Sequence, residues 1–166
     1  MTDVRAARPA PDVRIGHADF ADPALLAFLQ AHLDDMAPTA PPESQHALDA
    51  TELQRPGVRL WVARAEGAIV GTVALAALAP GHEELKSMRT DPALRGAGVG
   101  GRMLRHALDD AAARGVGRVS LETGAQDFFA PARALYAKHG FVACPPFGDY
   151  WDDPSSAFMT LDLAAR

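Results

Sequence analysis

Four glycines crowd into the six positions after Arg95, in the run Arg95-Gly96-Ala97-Gly98-Val99-Gly100-Gly101, which is more than a turn requires. An extended run over Glu84–Thr90, stopped by Asp91-Pro92, leads into this segment, and a helix-forming run over Arg102–Arg114 leaves it. A strand, a glycine-rich turn and a helix N-terminus together make a cradle for an anion. Glycine lets the backbone approach closely, the first helical amides lack partners within the helix, and the helix dipole adds positive potential. Arg95 contributes a fixed charge. The chemistry this predicts is the binding of a phosphate-bearing cofactor.

Two spacings run through the segment. Gly96, Gly98 and Gly101 satisfy G-x-G-x-x-G, and Glu122 falls about where a ribose-binding acid would sit. That fingerprint wants its first glycine directly after a buried strand, whereas Asp91-Pro92-Ala-Leu-Arg95 intervenes. It also starts too late in the chain to leave room for a doubly wound sheet. The other spacing is Arg-x-x-Gly-x-Gly over Arg95–Gly100, behind a strand that ends in Asp-Pro.

The elements that must hold this turn follow from periodicity. Val13–Ile15 reads as a short strand, and Asp22-Pro23 starts a helix whose face carries Leu25, Leu26, Phe28, Leu29 and Leu33 before the break at Pro38–Pro42. Ser44 is expected to cap a second, shorter helix reaching Leu53. Strands are expected over Val58–Val62 and Ala68–Leu78, joined by a hairpin at Glu66-Gly67, and over Glu84–Thr90. After the glycine-rich turn come a helix, a strand over Arg118–Thr123, a helix over Pro131–His139, and strands over Phe141–Ala143 and Ser156–Leu163. The order β-α-α-β-β-β-α-β-α-β-β gives one α/β domain spanning residues 1–166, a mixed sheet flanked by helices, with residues 1–11 a frayed, flexible start and no signal peptide.

Composition narrows the function classes. With 166 residues, 48% apolar and 22% charged, the chain suits one soluble domain with a proper core. A net charge of -5 opposes non-specific nucleic-acid binding, so an anionic ligand must be held locally. The single Cys144 excludes an intrachain disulfide, and the histidines have no metal-ligand spacing, so no metal is expected. No apolar run is long enough for a membrane span, and a cytoplasmic enzyme is the expectation.

The Arg95–Gly100 spacing behind Asp91-Pro92 closely resembles the pyrophosphate loop of the GNAT superfamily of acetyl-CoA-dependent N-acetyltransferases. The run Leu135-Tyr136-x-Lys-x-Gly-Phe141 resembles a second signature of that family, and the element order resembles its fold, with a mixed, mostly antiparallel sheet. The resemblance spans roughly residues 12–163 and is specific over 84–144. It implies that the strand before the loop splays from its neighbour and that backbone groups of Met88 and Thr90 bond the pantetheine arm as an added strand. Amides of Arg95, Gly96, Ala97, Gly98, Val99, Gly100 and Gly101 would hold the pyrophosphate. Tyr136 corresponds to the tyrosine that protonates the leaving thiolate. Where the family often has Asn one turn before the Ala of Ala-x-x-Leu-Tyr, this chain has Phe129.

The resemblance makes Glu84 a candidate general base. It lies four residues before Met88, on the same face of a regular strand, and an ammonium must lose a proton before attack. The other reading of Glu84 is a hairpin-end carboxylate facing solvent. Glu122 and a water chain remain alternative bases, and Lys86 could neutralise Glu84 or join it in clamping an amino-acid-like substrate. Glu83 reads as solvated, His46 as a surface or capping residue, and Phe147, Tyr150 and Trp151 as a pocket lining or a sheet cover. The expected function is transfer of an acetyl group from acetyl-CoA to a primary amine of a small-molecule or amino-acid-like acceptor in a ternary complex, by a chain that could pair as a homodimer. A protein acceptor, or a CoA-binding module without turnover, are the alternatives; Cys144 is a weak candidate for a covalent route.

Overall fold

In the computed structural model, which describes residues 10–166, seven strands form one sheet in the order β1-β2-β3-β4-β5-β7-β6. They are β1 Arg14–His17, β2 Val58–Ala65, β3 Ala68–Ala79, β4 His82–Thr90, β5 Arg118–Gly124, β6 Val142–Ala143 and β7 Ser156–Asp162. Every pairing is antiparallel except β4 with β5. Of the expected frayed start, residues 1–9 lie outside the described residues. Pro11 is tied down, since Arg102 donates to its carbonyl at 3.2 Å and to that of Val13 at 3.0 Å.

Strand alternation sends side chains to two cores. On one face, Leu60, Val62 and Ala74 meet Leu25 and Leu29 of α1 (Pro23–Met36). On the other, Trp61, Val73 and Leu75 meet Met103, Leu104, Ala107 and Leu108 of α2 (Val99–Ala113). The helix α3 (Ala130–Lys138) joins that second core through Leu135 and Tyr136. Asp22 caps α1 by accepting from the Ala24 amide at 2.9 Å, and proline opens the helix. No helix among the described residues is long and apolar enough to cross a membrane.

The second helix expected over Ser44–Leu53 does not form. Pro42–Ser44 and Glu52–Gln54 are short 3-10 turns, with irregular chain between them. Its capping and helical groups are drawn into tertiary bonds instead. The Ser44 hydroxyl donates to Asp153 at 2.5 Å, Gln45 bonds the carbonyls of Ala37 and Ala40 at 2.7 Å each, and the His46 carbonyl accepts from Lys86.

Candidate active site

A single parallel pairing positions the site. β4 and β5 pair only from His82–Leu85 against Arg118–Leu121, and beyond Leu85 they part. The Asp91 amide donates to the Val70 carbonyl of β3 at 2.8 Å, so alternation turns the backbone groups of Met88 and Thr90 toward the gap. An extended chain of amides laid in the gap would find there the edge of a strand without a partner.

The register of β4 corrects the expectation that Glu84 and Met88 share a face. Ser87 has φ +50°, and pairing with β3 slips by one residue between Thr72 and Ala74. The bulge is pinned by the Thr72 hydroxyl, which donates to the Ser87 carbonyl at 2.8 Å. One inserted residue inverts the alternation. Glu84 and Lys86 therefore lie on the α1 side with Ala76 and Ala74, while Met88 packs against the α2-side core.

At the end of β4 the glycine-rich turn has its cradle shape. Gly96 and Gly98 sit at φ +79° and +86°, and Gly98 is the residue before the first turn of α2. The helix starts at Val99, three residues before the expected Arg102. Arg102 is the first residue whose amide bonds back, to Gly98 at 3.2 Å, so the amides of Val99, Gly100 and Gly101 stay available. The Arg95 and Ala97 amides are bonded within the turn, to Pro92 at 3.5 Å and Leu94 at 3.1 Å, which removes both from the expected donor set. A cavity of about 590 Å³ runs from this cradle to the gap, lined by the Arg95 and Lys138 side chains, Gly96, Gly98–Gly101, Met88, Thr90 and Tyr136. Ala97 is not on its wall. The unpaired edge, the cradle and the flanking cations fit an extended amide arm ending in phosphates, which is the shape of coenzyme A.

A smaller pocket of about 110 Å³ meets that cavity at His32, Met36, Met88, Phe129, Ala132 and Tyr136. Tyr136 stands at the junction, 6% exposed, anchored in the core beside Phe141. Burial, and then the charge of Glu122, pushes its phenol well above the ordinary range, so it keeps its proton at neutral pH. Glu122, one position along β5 from the buried Leu121, lines the small pocket, and burial raises its carboxyl above the usual carboxylate range. Phe129 supplies no hydrogen bond where the family often has Asn. Its ring packs close against Gly124, where a Cβ would stand 2.0 Å from it.

The two other carboxylates on β4 are committed elsewhere. Glu84 is buried and does not face solvent: it accepts from the Tyr150 hydroxyl and from Lys86 at 3.3 Å, and it lines neither cavity. Glu83 is not solvated either, since Arg114 grips both its oxygens at 2.7 and 2.8 Å. His46 lines the small pocket, edge-on to Tyr150 and Trp151. Cys144 is on neither wall, and burial pushes its thiol up, away from the reactive thiolate.

Sequence reasoning missed His32 and Gln126 as residues of the pocket wall. His32 had a signal: it is the one polar residue in the stripe Leu25, Leu29, His32, Met36 on the inner face of α1. Gln126 sits in a loop, where no periodicity marks it.

Comparison with known proteins agrees with this architecture. Residues 25–141 match the family model described as Acetyltransferase (GNAT) family. The chain is 44% identical over 145 residues to the uncharacterized N-acetyltransferase YedL of Escherichia coli K12, covering 87% of this chain and 91% of that one. It is 40% identical over 140 residues to IAA acetyltransferase of Azospirillum brasilense, covering 84% and 88%. The PaiA N-acetyltransferase of Thermoplasma acidophilum, solved in complex with coenzyme A, superposes with a TM-score of 0.71 over 91% of this chain and 99% of that one, at 17% identity, a likeness of fold.

Proposed function

From the premise that this chain belongs to the GNAT acetyltransferase family and is an acyltransferase, we propose that it moves the acetyl group of acetyl-CoA to a primary amine of a small molecule, by direct attack in a ternary complex. One observation carries this reading: the proton-bearing Tyr136 stands where a cradle-lined cavity meets a pocket that holds the carboxylate of Glu122. When bound, acetyl-CoA supplies a thioester whose carbonyl carbon forms a bond to nitrogen while its bond to sulfur breaks.

The residues around it then have separate tasks. The cradle amides of Gly98–Gly101, with Arg95 and Lys138, bind the anionic end. Met88 and Thr90 bind the extended arm through their outward backbone groups, and the Met88 amide faces the region where the carbonyl oxygen gathers charge. Glu122 removes a proton from the incoming ammonium, helped by a carboxyl that burial has made more basic. Tyr136 donates its phenolic proton toward the departing sulfur. We assign the base to Glu122 over Glu84 because Glu84 is already neutralised by Lys86 and Tyr150, away from the pocket.

The test compares Glu122→Gln with Glu84→Gln by thiol release under saturating acetyl-CoA across pH. The wild-type rate should rise with pH through one ionisation above the usual carboxylate range. Glu122→Gln should lose that rise and about 10²–10⁴ of the rate. A rise lost in Glu84→Gln and retained in Glu122→Gln would make Glu84 the base.

A further inference from the structure

The small pocket suits a cation and has no free positive charge to offer a carboxylate. Its one ammonium, Lys86, is already committed: it donates to the His46 carbonyl at 2.8 Å and to the Tyr150 hydroxyl at 3.0 Å, and its charge is paired with Glu84 at 3.3 Å. Its two imidazoles carry no charge at neutral pH, because burial lowers His32 to about 4 and also lowers His46. The acceptors, by contrast, are open. Glu122 faces the pocket, and Gln126 lines it with a buried Oε1 that has no partner. The orientation of that amide is fixed, since its Nε2 donates to the Thr39 carbonyl at 2.9 Å. Finally, α1 ends at Met36 on the pocket wall, which brings the negative end of its dipole to the same place.

The neighbouring cavity has the opposite character. Arg95 and Lys138 line it beside the helix N-terminus of α2, so each compartment prefers the charge that the other rejects. Resting on the reading of the small pocket as the acceptor site, we propose that the acceptor is a cationic primary amine with no carboxylate on the amine-bearing carbon. An α-amino acid would bring its carboxylate within reach of Glu122 and the unpaired Gln126 oxygen, with no free positive charge to meet it. On this proposal Lys86 and Glu84 do not clamp an amino-acid-like substrate, because those two side chains already hold each other.

Matched pairs test this directly: phenethylamine against phenylalanine, tyramine against tyrosine, and isoamylamine against leucine. Each is titrated calorimetrically into the CoA-loaded protein and assayed for thiol release with acetyl-CoA. The amine of each pair should bind, and should exceed the amino acid in kcat/KM, by at least about 10²-fold. Glu122→Gln should narrow the difference in binding, since the repelling charge is gone. Amino acids that bind as well as their amines overturn the proposal. So does an amino-acid preference that disappears in Lys86→Met, which would show Lys86 leaving its partners for the substrate. If both members bind and neither releases thiol, the transferase reading fails while the binding ratio still decides this one. If no member of any pair binds, the pocket is not an acceptor site and the proposal falls with it.

Discussion

Replacing Gly98 with alanine separates two effects that a glycine in a binding loop usually confounds. Gly98 has φ +86°, and a Cβ built there meets no protein atom within 4 Å, so the methyl would project into open space beside the cavity. The folded protein must accept only the backbone strain of a left-handed alanine, about 1–2 kcal/mol. For a chain of this size that lowers Tm by roughly 2–8 °C. Gly67, in the β2–β3 hairpin, is a matched control: its φ is +81° and its Cβ would likewise meet nothing. Gly67→Ala and Gly98→Ala should therefore lose similar stability in denaturant unfolding. They should part company in calorimetry with CoA. Gly98→Ala places a methyl where phosphate oxygens approach the helix amides and should weaken binding at least tenfold, about 1.4 kcal/mol. Gly67→Ala should leave affinity unchanged. Equal affinities for the two variants, with both proteins folded, would refute the placement of the anion at this turn.

Two further outcomes follow from the site. Tyr136→Phe keeps the ring in its core contacts and removes the proton donor, so turnover should fall by about 10²–10⁴ with CoA affinity retained, as single-turnover rates and calorimetry would report. His32 titrates near 4 in the fold against 6.5 when free, so the unfolded chain binds its proton first as pH falls. The stability it supports is complete above about pH 6.5 and is lost toward pH 4; between pH 7 and 5 the loss is about 2 kcal/mol. Unfolding free energies of His32→Leu at those two pH values should show a correspondingly flatter dependence, and an unchanged slope would remove His32 from the acid response.

Much of this was legible because local rules and tertiary structure agree. Asp22-Pro23 opens α1, Glu66-Gly67 turns the hairpin, and the apolar stripe of α2 names its core, each as its pattern requires. The cradle was legible for the same reason, since glycine adopts without strain the φ values found at Gly96 and Gly98. What failed to show is set by distant partners. Ser44 looks like a helix cap, yet Asp153, more than a hundred positions away in sequence, claims its hydroxyl. Glu83 and Glu84 are adjacent acids at a strand start, and the half-buried partners Arg114 and Tyr150 that give them different fates lie far along the chain. The bulge at Ser87 has no turn residue to announce it, so counting by twos from Glu84 to Met88 crossed an irregularity that inverts the count.

The early parting of β4 and β5 also bears on solubility. An unpaired strand edge at the rim of a sheet invites pairing with other copies of the chain and so promotes aggregation. Here the unpaired stretch of β4 lies inside the sheet, between its own neighbour β5 and the helices α2 and α3, where a foreign strand would have to wedge apart two elements already joined at their base. The protein thus keeps a row of open backbone groups inside its sheet and away from the rims where other copies could pair. Its true rims are treated differently: β1 and β6, the outermost strands, run to only 4 and 2 residues, too short to template an ordered stack.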